Sequence, residues 1–162
     1  MKSDSISSLP SSNNPNKFWL LGDIITFKAT RKDTGGQYTF FEIKAASQNG
    51  PPPHHHTNMQ EGFYVLDGEF SFLYNNKNIK ANAGFFISIP TGVVHTYKNI
   101  GKNVGKLLVV GIPSGFENFV EELGIPIMVD EKSFIPPSNL PDIENIIKVS
   151  SKNDIIFEPS LK

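Results

Sequence analysis

The chain has 162 residues, 38% of them hydrophobic and 13 of them Phe, enough apolar area to fill one core and therefore to build one domain. Its formal charge of −1, with Lys and Arg scattered among Asp and Glu, supplies no basic stripe to track phosphates, which argues against a nucleic-acid partner. The absence of Cys removes disulfides, thiolate zinc sites and cysteine nucleophiles together, so any metal site must be built from His and carboxylate.

Residues 1–16 are mostly Ser, Asn, Asp and Pro without an apolar stretch, and are expected to form a flexible tail rather than a signal peptide. No apolar run approaches the ~20 residues that cross a bilayer. The chain is therefore expected to be cytoplasmic, with no membrane partner.

From Phe18 onward the sequence breaks into short runs of Ile, Val, Phe, Tyr and Thr, closed by Gly, Asn, Asp or Pro every ~8–12 residues. This rhythm predicts an all-β fold. Strands are expected over 24–29 and 37–45 around Thr34-Gly35-Gly36, and Phe63 to Leu66 is expected to pair with Glu69 to Tyr74 across an Asp67-Gly68 hairpin turn. A brief strand at 79–81, then 85–89, 95–99 and 106–110 complete the series. Many short antiparallel strands favour a sandwich or a closed barrel, since closure removes exposed edges.

The pattern changes at Ser114. Ser114-Gly115-Phe116-Glu117 has the form of a capping box, and Phe116, Phe119, Val120 and Leu123 follow at helical spacing until Gly124. Glu117, Glu121 and Glu122 are expected on the solvated face of this helix. A Pro-rich connector over 125–141 leads to a second helix beginning near Pro141, with Ile143, Ile146 and Ile147 on one face, and 155–157 returns as a strand. Both helices are expected on the outer surface, covering an opening or a dimer contact.

The histidines cluster in two places, His54-His55-His56 and His95, each beside the start of a strand. Side chains at i and i+2 of an extended segment share a face, so His54 and His56 point one way and His55 the other. Glu61, Phe63 and Val65 share a face of the next strand, and His95 follows a Pro90-Thr91-Gly92 bend. Three imidazoles and one carboxylate suit a first-row divalent ion and leave positions open for water, substrate or oxygen. The bland alternative, a solvated histidine run with an unrelated His95, loses ground once the second cluster is considered.

The run from Gly50-Pro-Pro-Pro-His54-His-His56 to Glu61, with Gly68 beyond it, resembles the first cupin motif, and Gly84-Phe-Phe-Ile-Ser-Ile-Pro90-Thr-Gly92-Val-Val-His95-Thr-Tyr-Lys-Asn99 resembles the second. The spacing between them, Glu69 to Ala83, is the short one of microbial cupins. One departure is visible: the pattern has Gly where this chain has Gln48, with Gly50 nearby. A register using His55 and Thr57 is open in principle, but His54 with His56 is much the better match.

The resemblance implies a cupin double-stranded β-helix, or jelly-roll barrel, with a core over about 37–112, a helical extension over about 114–151 and a single domain over 17–162. It implies one divalent transition metal ion (Fe, Mn, Ni, Co, Cu or Zn) on His54, His56, Glu61 and His95. The runs Phe18 to Asp23, Glu61 to Glu69 and Gly115 to Glu117 are similar to single-domain quercetinase-like cupins, in which a flavonol chelates the metal and dioxygen cleaves its heterocycle. That likeness makes Glu61 the catalytic residue, as metal ligand and proton acceptor. Asn58-Met59-Gln60, where these relatives often carry acids, leaves the substrate open.

The expected function is thus a metal-dependent dioxygenase acting on a flavonol-like or other chelating aromatic or enolic small molecule. The alternatives are a non-catalytic, metal-containing small-molecule binder and a metal-dependent isomerase. Tyr64 and Tyr97 are expected to pack rather than to react, and Asn99 to be structural. The apolar N-terminal strand and the two helices offer enough hydrophobic surface to suggest a homodimer.

Overall fold

The computed structural model describes residues 15–139 and 142–158; the expected N-terminal tail therefore lies almost wholly outside the described residues, as does Pro141. Alternation builds the sheets. In β3 (Thr39–Ala45) the residues Thr39, Phe41, Ile43 and Ala45 are buried while their neighbours are half-buried, and β10 (Gly105–Ile112) repeats the pattern with Leu107 and Val109. Period-2 burial of this kind belongs to sheets with one face on a core.

Two antiparallel sheets face each other among the described residues. One contains β1 (Lys17–Leu20), β2 (Asp23–Ala29), β3, β10, β5 (Gln60–Asp67) and β8 (Phe86–Ile89), with the two-residue β11 (Ile125–Pro126) on its β1 edge. The other runs from β12 (Ile155–Phe157) through β4 (His54–His56), β9 (His95–Asn99) and β6 (Glu69–Tyr74) to β7 (Lys77–Asn82). The core between them is rich in aromatics: Phe27, Phe41, Phe63, Phe70 and Phe72 are all buried.

The strand series is where the sequence places it, with one difference in pairing. β5 and β6 do not form a hairpin. β5 pairs with β10 and β8, whereas β6 pairs with β7 and β9 in the opposite sheet. Asp67-Gly68 is thus a corner between sheets. Gly68 takes a φ of +93°, and a Cβ there would stand 3.0 Å from the Cα of Gly105. Turn grammar marks the bend without saying which neighbours the strands will take. Similarly, the β2–β3 connection holds one helical turn, α1 (Arg31–Thr34), which Gly35 ends in a left-handed conformation.

The helix α2 (Phe116–Leu123) lies where expected, but its capping box does not form. Gly115 is the N-cap, the Ser114 hydroxyl is buried without a partner, and Glu117 turns inward. Glu117 is buried and accepts the backbone N–H groups of Arg31 at 2.7 Å and Gly115 at 3.0 Å, as well as the Thr39 hydroxyl. It ties the helix to the barrel and is not on the solvated face. Phe116 stacks on Phe41 at 4.7 Å and Phe119 is buried, so α2 covers one mouth of the sandwich.

The helix α3 (Ile143–Lys152) buries Val149 and Ser150, while Ile143 and Ile147 are exposed and Ile146 is half-buried. Only its C-terminal half docks, because β12 follows at once and pulls that end onto β4. At β1, β11 pairs with the outer edge and Phe18, Trp19 and Leu20 are buried. Glu131 fastens the connector by pairing with Lys17 at 2.9 Å and Lys44 at 2.8 Å. Among the described residues no helix is long and apolar enough to cross a membrane.

Candidate metal centre

The short strand β4 holds His54 and His56 inward and His55 outward, and the outward ring donates its Nδ1–H to the Glu158 carboxylate at 2.8 Å. Antiparallel pairing sets His54 directly opposite His95 on β9, with ring centroids 4.5 Å apart. His56 joins from two residues along, its ring 5.2 Å from His54 and 5.5 Å from His95. The carboxylate comes from the other sheet: Glu61 on β5 places Oε2 2.8 Å from His95 Nε2 and 3.0 Å from His56 Nε2. All four side chains are buried.

Backbone carbonyls aim two of the rings. The Nδ1–H of His54 donates to the Pro52 carbonyl at 2.9 Å, and that of His95 donates to the Val93 carbonyl at 2.9 Å. Each bond reaches two residues back along the chain and fixes the ring as histidine ligands are fixed in metal sites; in His95 the remaining nitrogen, Nε2, is bonded to Glu61. His56 Nε2, although close to Glu61, is badly angled for a hydrogen bond and is a buried nitrogen without a partner.

An orphaned buried nitrogen is costly unless something else binds it. One ligand atom from each of His54, His56, Glu61 and His95 lies within 4.8 Å of every other, so the four can hold a metal ion. Bonds of ~2.1 Å span ligands up to ~4.2 Å apart, so a small inward shift of the side chains closes the set.

Electrostatics favour the same conclusion. Burial and the neighbouring His95 and His56 push His54 down to about 3, so its ring is neutral and ready to donate. Burial alone would raise Glu61, but the His56 and His95 rings outweigh it and hold the carboxyl well below the usual range. Burial would lower His95, yet its bond to Glu61 and that group's charge raise it above the ordinary imidazole value.

A cavity of about 230 Å³ opens beside the ligands, and His54 and Glu61 form part of its wall. Leu20, Ile25, Ile43, Phe63, Phe119 and Phe157 make most of it apolar. The polar exceptions include Tyr97, whose hydroxyl donates to Asp23 at 2.6 Å, and Asn49. Burial, then Asp23, raise Tyr97 well above the ordinary phenol value, and burial raises Asp23 against its hydrogen bonds from Tyr97 and Asn49.

The four residues singled out in the sequence are therefore brought together. Tyr97 packs as expected but also faces the cavity, whereas Tyr64 is exposed on the outer face. Asn99 is structural: fully buried, it donates to the carbonyls of Ala45 and Asn103. Asp23 escaped notice. The available signal was an acid sharing the inward face of its strand with Ile25 and Phe27.

Residues 40–111 match the Cupin domain family. Quercetin 2,3-dioxygenase of Bacillus subtilis strain 168 is 30% identical over 98 residues, which is 60% of this chain but 29% of that protein; the chain spans under a third of the relative's length. Among solved structures, a predicted oxalate decarboxylase of Thermotoga maritima superposes with a TM-score of 0.56 at 21% identity, covering 64% of this chain and 96% of that one. KdgF from Halomonas sp. gives 0.57 at 12% identity, covering 68% and 97%. These structures share the fold with this chain. The matched segment contains His54, His56, Glu61 and His95, so all four candidate ligands lie in the part of the chain that is similar to the Cupin domain family, on a two-sheet barrel with the cupin fold.

Proposed function

We propose that the protein is a metal-dependent dioxygenase acting on an aromatic or enolic small molecule that chelates the metal through oxygen, a flavonol or a compound of similar chemistry. The observation that carries this reading is the convergence of three imidazoles and one carboxylate on the wall of an apolar cavity. The similarity to quercetin 2,3-dioxygenase supports it from outside the structure. The fold alone does not choose an activity.

A divalent ion on these ligands supplies Lewis acidity and open positions for a chelating oxygen. The chain supplies the rest. The Pro52 and Val93 carbonyls hold the His54 and His95 rings in orientation, which leaves only a small shift for binding. Glu61, ionised and reaching across from the other sheet, is placed to take the proton that an enol or phenol loses on chelation. The apolar walls keep water from the reacting centre.

Oxygen uptake with chelating flavonols, measured on protein reconstituted separately with Fe, Mn, Co, Ni and Cu, tests the reading. Glu61→Gln keeps the three histidines and removes the base, and is expected to lower uptake by about 10²–10⁴-fold while much of the metal stays bound. Ligand binding without oxygen consumption under every metal overturns the dioxygenase in favour of a metal-organised binder.

A further inference from the structure

The cavity wall contains a second polar cluster that takes no part in holding a metal. Asp23 is buried, and its carboxylate accepts hydrogen bonds from the Tyr97 hydroxyl at 2.6 Å and from Asn49 Nδ2 at 2.6 Å. Asn49 Nδ2 donates its other hydrogen to the Leu21 carbonyl at 3.2 Å. Every side-chain donor of the cluster is thus spent internally. What remains is acceptor capacity, on the carboxylate and on the Tyr97 oxygen.

The Asp23–Tyr97 bond also joins β2 of one sheet to β9 of the other, so a purely structural tie is the competing account. That account leaves the choice of residues unexplained. A buried carboxylate is an expensive way to join two sheets that apolar side chains would hold as well. Asp23, Asn49 and Tyr97 all line the cavity that His54 and Glu61 line, amid Leu20, Ile25 and Phe63. A bound molecule that meets the candidate ligands is therefore also within a small cavity whose other polar side chains among the described residues, Asp23, Asn49 and Tyr97, have only acceptor positions left.

We propose that the Asp23–Tyr97 pair determines specificity by accepting a hydrogen bond from a second hydroxyl of the ligand, so that the preferred ligand is a polyphenol rather than a simple chelating enol. This rests on the reading of the site as one for chelating phenols. A hydroxyl suits the place better than an ammonium group, which would lose its hydration among apolar walls.

The test uses the full chain loaded with Co(II) and titrated without oxygen. 3-Hydroxyflavone carries the chelating pair and no other hydroxyl, and quercetin adds ring hydroxyls. Wild type is expected to bind quercetin about tenfold tighter, the worth of one good hydrogen bond to a charged pair. Tyr97→Phe is expected to bring the two affinities within about threefold of each other with metal content unchanged. Asp23→Asn makes the same test should Tyr97→Phe fail to fold, and Tyr64→Phe on the outer face should leave the ratio alone. A ratio that survives in both cavity variants, or an equal loss for both ligands, overturns the proposal and leaves a structural tie. Equal affinity of wild type for the two ligands overturns it while sparing the chelating site, whereas binding of neither overturns both.

Discussion

His54 and His95 face each other across the bridge that joins β4 to β9, their rings 4.5 Å apart, while His55 between the two β4 ligands turns away to Glu158. The contrast yields the first prediction. His54→Ala, His56→Ala and His95→Ala should each weaken metal binding beyond the ~10–100-fold that losing even a supporting partner costs, and His55→Ala should leave it near wild type. Metal content after dialysis, alongside circular dichroism to show that the barrel persists, reads the difference. Metal lost with His55 but kept without His54 would reverse the assignment.

Metal binding should weaken on acidification, with a sign set by His95. Glu61 raises this ring above the ordinary imidazole value, so it keeps its proton to higher pH than a free histidine does. A ligand must be deprotonated, so affinity is greatest above that raised value and falls about tenfold per pH unit below it on account of this ring. His54, already neutral down to about 3, adds nothing to the slope near neutrality. Competition with a chelator between pH 8 and 6 checks this, and a flat profile would contradict it.

Gly50 is needed for close approach. A Cβ there would come within 1.9 Å of the Tyr97 carbonyl oxygen and 3.1 Å of the Lys98 Cα, both backbone atoms of β9 that cannot yield without disturbing the ligand strand. Gly50→Ala should cost about 1–3 kcal/mol, as overpacking does, and lower the midpoint of thermal unfolding by ~2–4 °C per kcal/mol. Thermal unfolding of the metal-free protein is the measurement. An unchanged midpoint would show that the strands separate freely.

Gln48 stands where the cupin pattern has glycine, and its φ is +64°. The left-handed region costs a side-chain-bearing residue about 1 kcal/mol, while glycine enters it freely at some loss of unfolded-chain entropy. Gln48 is exposed, so little packing is lost with its side chain. Gln48→Gly should raise stability by up to about 1 kcal/mol with metal binding unaltered, as read by urea unfolding with and without metal.

The candidate ligands were legible because they depend on a period of two: β4 turns alternate histidines inward whatever lies beyond it, and Glu61 shares a face with Phe63 and Val65. The strand series was legible for the same reason. What escaped depends on partners distant in the chain. Glu117 reads as a solvated helix acid until α1 brings the Arg31 N–H to it, and Asp23 reads as a stray acid until β9 brings it the Tyr97 hydroxyl. Asp67-Gly68 marks a bend equally well for a hairpin and for a corner, and only β8, β9 and β10 decide between them.

The pairing of β12 with β4 sets an order of assembly. Ile155, Ile156 and Phe157 lie against His56, His55 and His54, and Phe157 meets the His54 ring edge-on at 6.0 Å. During synthesis the histidine strand leaves the ribosome about a hundred residues before its second neighbour does, as the separation of 103 between His55 and Glu158 records. Until β12 emerges, β4 can pair with β9 alone, and the backbone of its other edge has no partner.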